Sequence, residues 1–231
     1  GHPLTRDRLR DVTARAATLQ VRTTESDGAE YWFQRAKGKL RAFIRNPSAT
    51  LRAVAKDDAS DIALLMRAVA YHRRPDPEAA RREIDRLAAK RERDPFVHEL
   101  RGQILLESRD VSGAVAAYGR ATELAPGHPL ILAGYGRALL AAGRGSEALA
   151  VLERARDRDP GDPRLLRDLA QAYGRAGDNG QASLATAERY ALLGRPRDAA
   201  INAERALGLL ARGSPGWRRA DDILSAAKRA K

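Results

Sequence analysis

Cysteine is missing altogether from the 231 residues, methionine occurs once, and aromatic side chains make up only 5%. Without cysteine there are no disulfides and no thiolate ligands, so the usual structural zinc sites are excluded and the redox compartment is left open. With so few aromatics, alanine and leucine must supply the apolar surface, which suits closely packed helices better than a sheet. No apolar run approaches the ~20 residues that span a bilayer, and no signal peptide is visible. The chain opens Gly1-His2-Pro3 and its one methionine is Met66. We therefore read it as a fragment or a processed product, from which any targeting segment would have been removed. Blocks of like charge are missing too. The net charge of +12 is carried mainly by arginine, but acids are interspersed, as in Arg154-Ala155-Arg156-Asp157-Arg158-Asp159. That pattern reads as a solvated surface rather than a nucleic-acid face, and aromatics for base stacking are not interleaved with the arginines. No nucleic-acid partner is expected.

Catalytic and phosphate-binding motifs are also missing. No two of His2, His72, His98 and His128 are four apart, so there is no HExxH. Neither GxxxxGK[ST] nor GxSxG occurs. The two glycines of Gly134-Tyr135-Gly136 are expected at a close helix contact, and the acidic pairs Asp57-Asp58 and Asp221-Asp222 at helix starts. His72, His98 and His128 read as structural or surface residues. No catalytic residue is assigned to this chain.

What is present is a repeat. Small residues recur at Ala68, Gly102, Gly136 and Ala170, followed three positions later by Tyr71, Leu105, Leu139 and Tyr173. Alanines follow at Ala80, Ala114, Ala148 and Ala182, then large apolar residues at Ile84, Tyr118 and Leu152, and Pro126 and Pro160 close two units. The period of about 34 residues is that of the tetratricopeptide repeat (TPR), two antiparallel helices per unit. The small residues belong where the paired helices approach most closely, and proline ends the second helix. Asp76, Asp110, Ser146 and Asp162 are expected to cap helix starts. Units fall at about 61–94, 95–128 and 129–162. A fourth starts at 163 and departs from the pattern after Ala182, with Thr186 and Arg189 where small or apolar residues belong.

The predicted fold is thus all-α: a TPR-like α-solenoid of antiparallel helix pairs, with an N-terminal helical extension and a C-terminal capping helix. Residues 1–58 form the helical extension and 59–231 the array. In the extension we expect a helix over Thr5–Ala17, an amphipathic helix over Gly28–Asn46 ended by Pro47, and a short one at Ser48–Lys56. The cluster Tyr31-Trp32-Phe33 is either a partner patch or an anchor onto the first repeat. At the other end, 163–176 pairs with 180–193, and Arg197–Leu210 with Pro215–Ala230, the last helix capping the array through Trp217 and Ile223-Leu224.

Several segments in order carry a resemblance. They are His2-Pro3-Leu4-Thr5-Arg6-Asp7-Arg8-Leu9, the aromatic helix Tyr31–Ile44, His98-Glu99-Leu100-Arg101-Gly102-Gln103-Ile104-Leu105, Ala170-Gln171-Ala172-Tyr173-Gly174-Arg175, and Ala187-Glu188-Arg189-Tyr190-Ala191-Leu192-Leu193-Gly194. Together they resemble the C-terminal half of periplasmic zinc metalloproteases of the beta-barrel assembly-enhancing group. The resemblance implies a parent protein with a preceding HExxH domain and zinc as its cofactor. It also implies a periplasmic location and a role in outer-membrane protein assembly or quality control. In that family a histidine just before the TPR region can ligate the zinc and hold the site closed. His2 matches it, as a metal ligand in the intact parent only; this chain alone implies no cofactor.

The TPR pattern places Glu99, Gln103, Leu106, Ala133, Arg137, Leu140, Arg164, Arg167, Gln171 and Arg175 along a groove lined by the first helix of each unit. The arginines there suit carboxylates or an extended acidic segment. The expected partners are protein or peptide segments, including assembly components and the protease's own catalytic domain, with membrane contact only indirect. The alternative is a stand-alone scaffold or adaptor unrelated to proteolysis.

Overall fold

A computed structural model describes residues 26–229, and the expected helix over Thr5–Ala17 and the expected ligand His2 lie outside them. Twelve helices and no strand occur among the described residues. They are α1 Ser26–Ile44, α2 Pro47–Ala53, α3 Asp61–Arg73, α4 Pro77–Lys90, α5 Pro95–Glu107, α6 Val111–Leu124, α7 Pro129–Ala141, α8 Gly145–Arg158, α9 Pro163–Arg175, α10 Asn179–Leu192, α11 Pro196–Leu209 and α12 Pro215–Arg229. Seven of these begin on a proline, whose fixed φ suits the first helical turn and whose missing N–H is not needed there.

The caps follow local chemistry. Asp76, Asp110, Asp162 and Asp178 accept hydrogen bonds from first-turn backbone N–H groups. Ser146 does not cap: α8 starts one residue earlier, at Gly145, and the flanking Arg144 makes no side-chain cap. Arg144 instead donates to both carboxylate oxygens of Glu147. Pro47 starts α2 rather than terminating α1, with Asn46 accepting from Ser48 N and Ala49 N. Between the two helices of the α5/α6, α7/α8 and α9/α10 hairpins the chain passes through a left-handed residue at Arg109, Gly143 and Gly177, with φ of 67°, 75° and 80°. Glycine, which has no Cβ, meets that requirement without strain, whereas a side chain there is crowded against the backbone.

Helices α3/α4, α5/α6, α7/α8 and α9/α10 form successive hairpins, and each second helix packs on the next hairpin's first. The crossings are as close as the repeat requires. A Cβ on Gly136 would lie 2.4 Å from Leu152. The Tyr118 ring is wedged between Gly102 and Gly134, where added Cβ atoms would meet it at 2.6 and 2.3 Å. Apolar clusters run in series, from Ala42 and α3–α5, through Leu105, Tyr118 and Ala138, to a larger one on α7–α10.

The C-terminal part is built differently. Helix α10 buries Ala185 towards α7–α9 and, on another face, Leu184 and Ala187 towards α11 and α12. There Ala203, Ala206, Ala220 and Leu224 complete the core. Thr186 and Arg189 mark this change of partner. The Thr186 hydroxyl is absorbed by a bond to Ala182 O, and Arg189 lies beside the Tyr190 ring. Helix α12 closes the end with Ala220, Leu224 and Ala227 inward and Arg218, Arg219, Asp221 and Asp222 in solvent.

Candidate partner-binding surface

First helices α5, α7 and α9 stand side by side, with α3 joined to α5 through His72 and Glu107, and their shared face is the inner surface of the array. Its N-terminal end is not open, because α1 lies across it. Gly38 packs on Ile62 and Met66 of α3. The Tyr31 hydroxyl donates to Asp61 Oδ2 at 3.0 Å, Arg35 makes a two-pronged pair with Asp94, and Lys39 Nζ lies 3.5 Å from Glu99 Oε2. Arg73 donates to the carbonyls of Ala42 and Arg45 at the end of α1.

The aromatic cluster therefore serves in part as an anchor. Trp32 stands edge-on to Tyr31 and Phe96, and Phe96 to His128, while Phe33 points away. Asp61 is a hub of this junction. Its burial opposes ionisation, but donors from Arg91, Lys90 and Tyr31 outweigh that and hold its carboxyl below the usual range. Burial raises the Tyr31 phenol, and the Asp61 bond adds to the rise.

Glu99 is consequently buried under α1 instead of lining open space. Ala133 and Leu140 are buried too, because α7 turns them into the α7–α10 core. Leu106 is half-buried beside Ala138 and Tyr118, and Gln103 is half-exposed and donates to Glu107. The open part of the surface lies over α7 and α9. Arg164, Arg167, Gln171 and Arg175 are exposed there, and Arg137 is half-exposed.

Three of these arginines, Arg137, Arg167 and Arg175, are positioned by bonds to neighbouring groups. Arg137 Nε donates to Asp168 Oδ2 at 2.7 Å. Arg167 donates to Asp168 Oδ1 through Nε and Nη2 at 3.1 and 2.9 Å. Arg175 Nη1 caps Leu140 O at 2.8 Å. Each guanidinium keeps unused donors.

Sequence reasoning missed two features here. Asp168 is the buried carboxylate that ties neighbouring units together, and its signal was a lone acid inside the apolar run Leu165-Leu166-Arg167-Asp168-Leu169. Leu130 is an exposed apolar side chain in the first turn of α7, at the position equivalent to Phe96.

The histidines are structural. His72 Nε2 lies 2.7 Å from Glu107 Oε2, and His98 Nε2 bonds Glu92 O at 2.9 Å. Among the described residues no group of three or more His, Cys, Asp or Glu side chains could hold a metal ion. The described residues therefore do not themselves fit a zinc site. Nor does any described helix have the length and apolarity to cross a membrane.

A tetratricopeptide-repeat sequence profile matches residues 105–167. Solved structures extend the likeness. MamA, in a form labelled AMB-1, superposes with a TM-score of 0.58 at 19% identity, over 70% of this chain and 98% of that one. MamA from Desulfovibrio magneticus RS-1 gives 0.55 at 21%, over 76% and 96%. YrrB, described as a TPR protein with an unusual peptide-binding site, gives 0.56 at 15%, over 74% and 90%. The chain is an all-α TPR solenoid. At these identities the likeness concerns the fold alone. No curated protein matches the sequence. The solenoid frame accounts for the side-by-side first helices and for the face they share.

Proposed function

We propose that this TPR solenoid is a protein-binding module whose open inner surface over α7 and α9 takes an extended acidic segment. The observation that carries the reading is the arginine set Arg137, Arg164, Arg167 and Arg175, balanced locally by the single buried carboxylate of Asp168. Guanidinium groups already oriented by Asp168 and by Leu140 O lose little freedom on gripping a second carboxylate, and their planar forks suit it. Leu130 adds an apolar contact beside them.

Fluorescence anisotropy with pools of acidic, neutral and basic peptides tests this. Acidic peptides should bind best, and Arg164→Ala/Arg167→Ala should weaken them about tenfold without lowering the melting temperature. Equal binding of all pools, or an unchanged double variant, would sink the reading.

We further propose that this module belongs to a periplasmic zinc metalloprotease acting in outer-membrane protein assembly or quality control, where it recruits substrates and regulates the catalytic domain. The support is the ordered set of segments from His2-Pro3 to Leu193-Gly194. In that setting His2 would ligate the zinc of the preceding domain. The gene decides: an in-frame upstream segment lacking HExxH removes the idea, and leaves the peptide-binding reading standing.

A further inference from the structure

Helix α1 has two working faces, and only one is used by the array. Tyr31, Arg35, Gly38, Lys39 and Ala42 look inward at α3 and α5. On the other side, Phe33, Leu40 and Ile44 are 59%, 60% and 69% exposed, while Trp32, edge-on to Phe96, stays at the border with the array. Spacings of seven and four residues put Phe33, Leu40 and Ile44 in one stripe, which at 1.5 Å per residue is roughly 16 Å long.

A row of cations runs along one edge of this stripe. Lys37, Arg41 and Arg45 follow at intervals of four, all exposed, and none makes an ion pair among the described residues. Lys37 hangs 5.8 Å from the Phe33 ring. From Tyr31 to Arg45 the chain has no acid, and Arg52 and Lys56 extend the exposed basic character.

We propose that this outer face of α1 docks on an anionic membrane surface. The apolar side chains would enter the headgroup boundary while Lys37, Arg41 and Arg45 sit over lipid phosphates. The shape favours lipid over a protein partner, because the apolar groups protrude from a convex helix. A fluid interface receives such a surface without a matching pocket. The charge disfavours a second copy, since each chain carries +12 and would bring the same cationic edge to the contact. Contact with lipid is then direct, where the sequence led us to expect only indirect association.

Flotation of the intact 231-residue chain tests this, with vesicles of phosphatidylcholine alone and of an equal mixture with phosphatidylglycerol. Binding should need the anionic lipid and fall with salt. With Phe33→Trp as the sole tryptophan in a Trp32→Phe/Trp217→Phe background, its emission should shift to the blue on binding. Phe33→Ser/Leu40→Ser/Ile44→Ser and, separately, Lys37→Glu/Arg41→Glu should each weaken binding about tenfold or more. Arg82→Glu/Arg158→Glu, equal in charge but far from α1, should weaken it much less. If the apolar triple variant fails to fold by circular dichroism, the charge-reversed pair carries the test.

Three results would overturn the proposal. One is equal binding to neutral and anionic vesicles, or none. Another is equal loss in the two charge-reversed variants. The third is a dimer in sedimentation equilibrium that the serine variant dissolves, which would make the stripe an interface between copies.

Discussion

The middle of the array and its C-terminal end solve the same problem by different means. In α5–α8 a large side chain on a second helix fills the space over a glycine on a first helix: Tyr118 over Gly102 and Gly134, Leu152 over Gly136. In α10–α12 the helices meet mainly through alanines, Ala187 with Ala203 and Ala206 with Ala220, around Leu184 and Leu224, with a single leucine knob at the rim, Leu210 over Gly180, where an added Cβ would lie 2.7 Å away. A knob over a glycine fixes register by shape, because only one arrangement lets the ring in. Alanine faces approach closely but specify register weakly, so the C-terminal end relies more on added contacts. One is Arg219 Nε, 2.6 Å from Glu188 Oε1. That oxygen has no hydrogen-bond partner, so the pair is an ion contact off the N–H line.

The largest effect that sharpens this contrast is expected at the knob. Tyr118→Ala should cost about 3–5 kcal/mol in urea unfolding. Gly134→Ala alone should cost about 1–3 kcal/mol by overpacking, and much less in the Tyr118→Ala background, where the ring is gone. Additive costs would break the knob-over-glycine account. At the alanine end, Ala203→Leu should cost about 1–3 kcal/mol. Hydrogen exchange should place that loss in α10–α12 and leave α5–α8 protected. If α5–α8 opens equally, the two regions are one cooperative unit.

Caps should not distinguish the regions. Asp110→Ala and Asp178→Ala are each expected to cost about 1 kcal/mol, while Ser146→Ala, outside a capping position, should stay within about 0.5 kcal/mol in thermal melts. The smallest effect concerns pH. Burial raises the Glu188 carboxyl above its usual range, and Arg219 only partly opposes this. The folded chain therefore holds this proton more tightly than the unfolded one. The stability so contributed is full below the ordinary glutamate range and is lost as pH rises through the elevated value. Glu188→Gln should flatten that slope, and an unchanged slope would assign it elsewhere.

Most of the helical frame was legible because glycine, alanine and proline recur at fixed offsets for steric reasons. Gly102, Gly136, Pro126 and Pro160 announce crossings and helix ends wherever they stand. The left-handed turn was half legible: Gly143 and Gly177 mark it, but Arg109 fills the same place with φ of 67°, which its residue type does not announce. The candidate surface was less legible, because its state depends on partners far apart in sequence. Nothing local to Glu99 says that Lys39 will cover it, and nothing local to Arg137 says that Asp168 will orient it. Ser146 misled because serine is a good cap wherever it precedes a helix, and here the helix simply began before it.

The double commitment of α10 limits how the molecule can be cut and spliced. Residues 129–162 behave as a cassette: each edge of that hairpin meets a neighbour of its own kind, so a tandem duplication there would lengthen the protein and leave every junction familiar. No such operation is open at 163–193. The far side of α10 is tailored to α11 and α12, and a copy inserted after it would present that surface to an ordinary first helix for which it has no fit. Growth by repeat duplication is therefore open in the interior and closed at the tail.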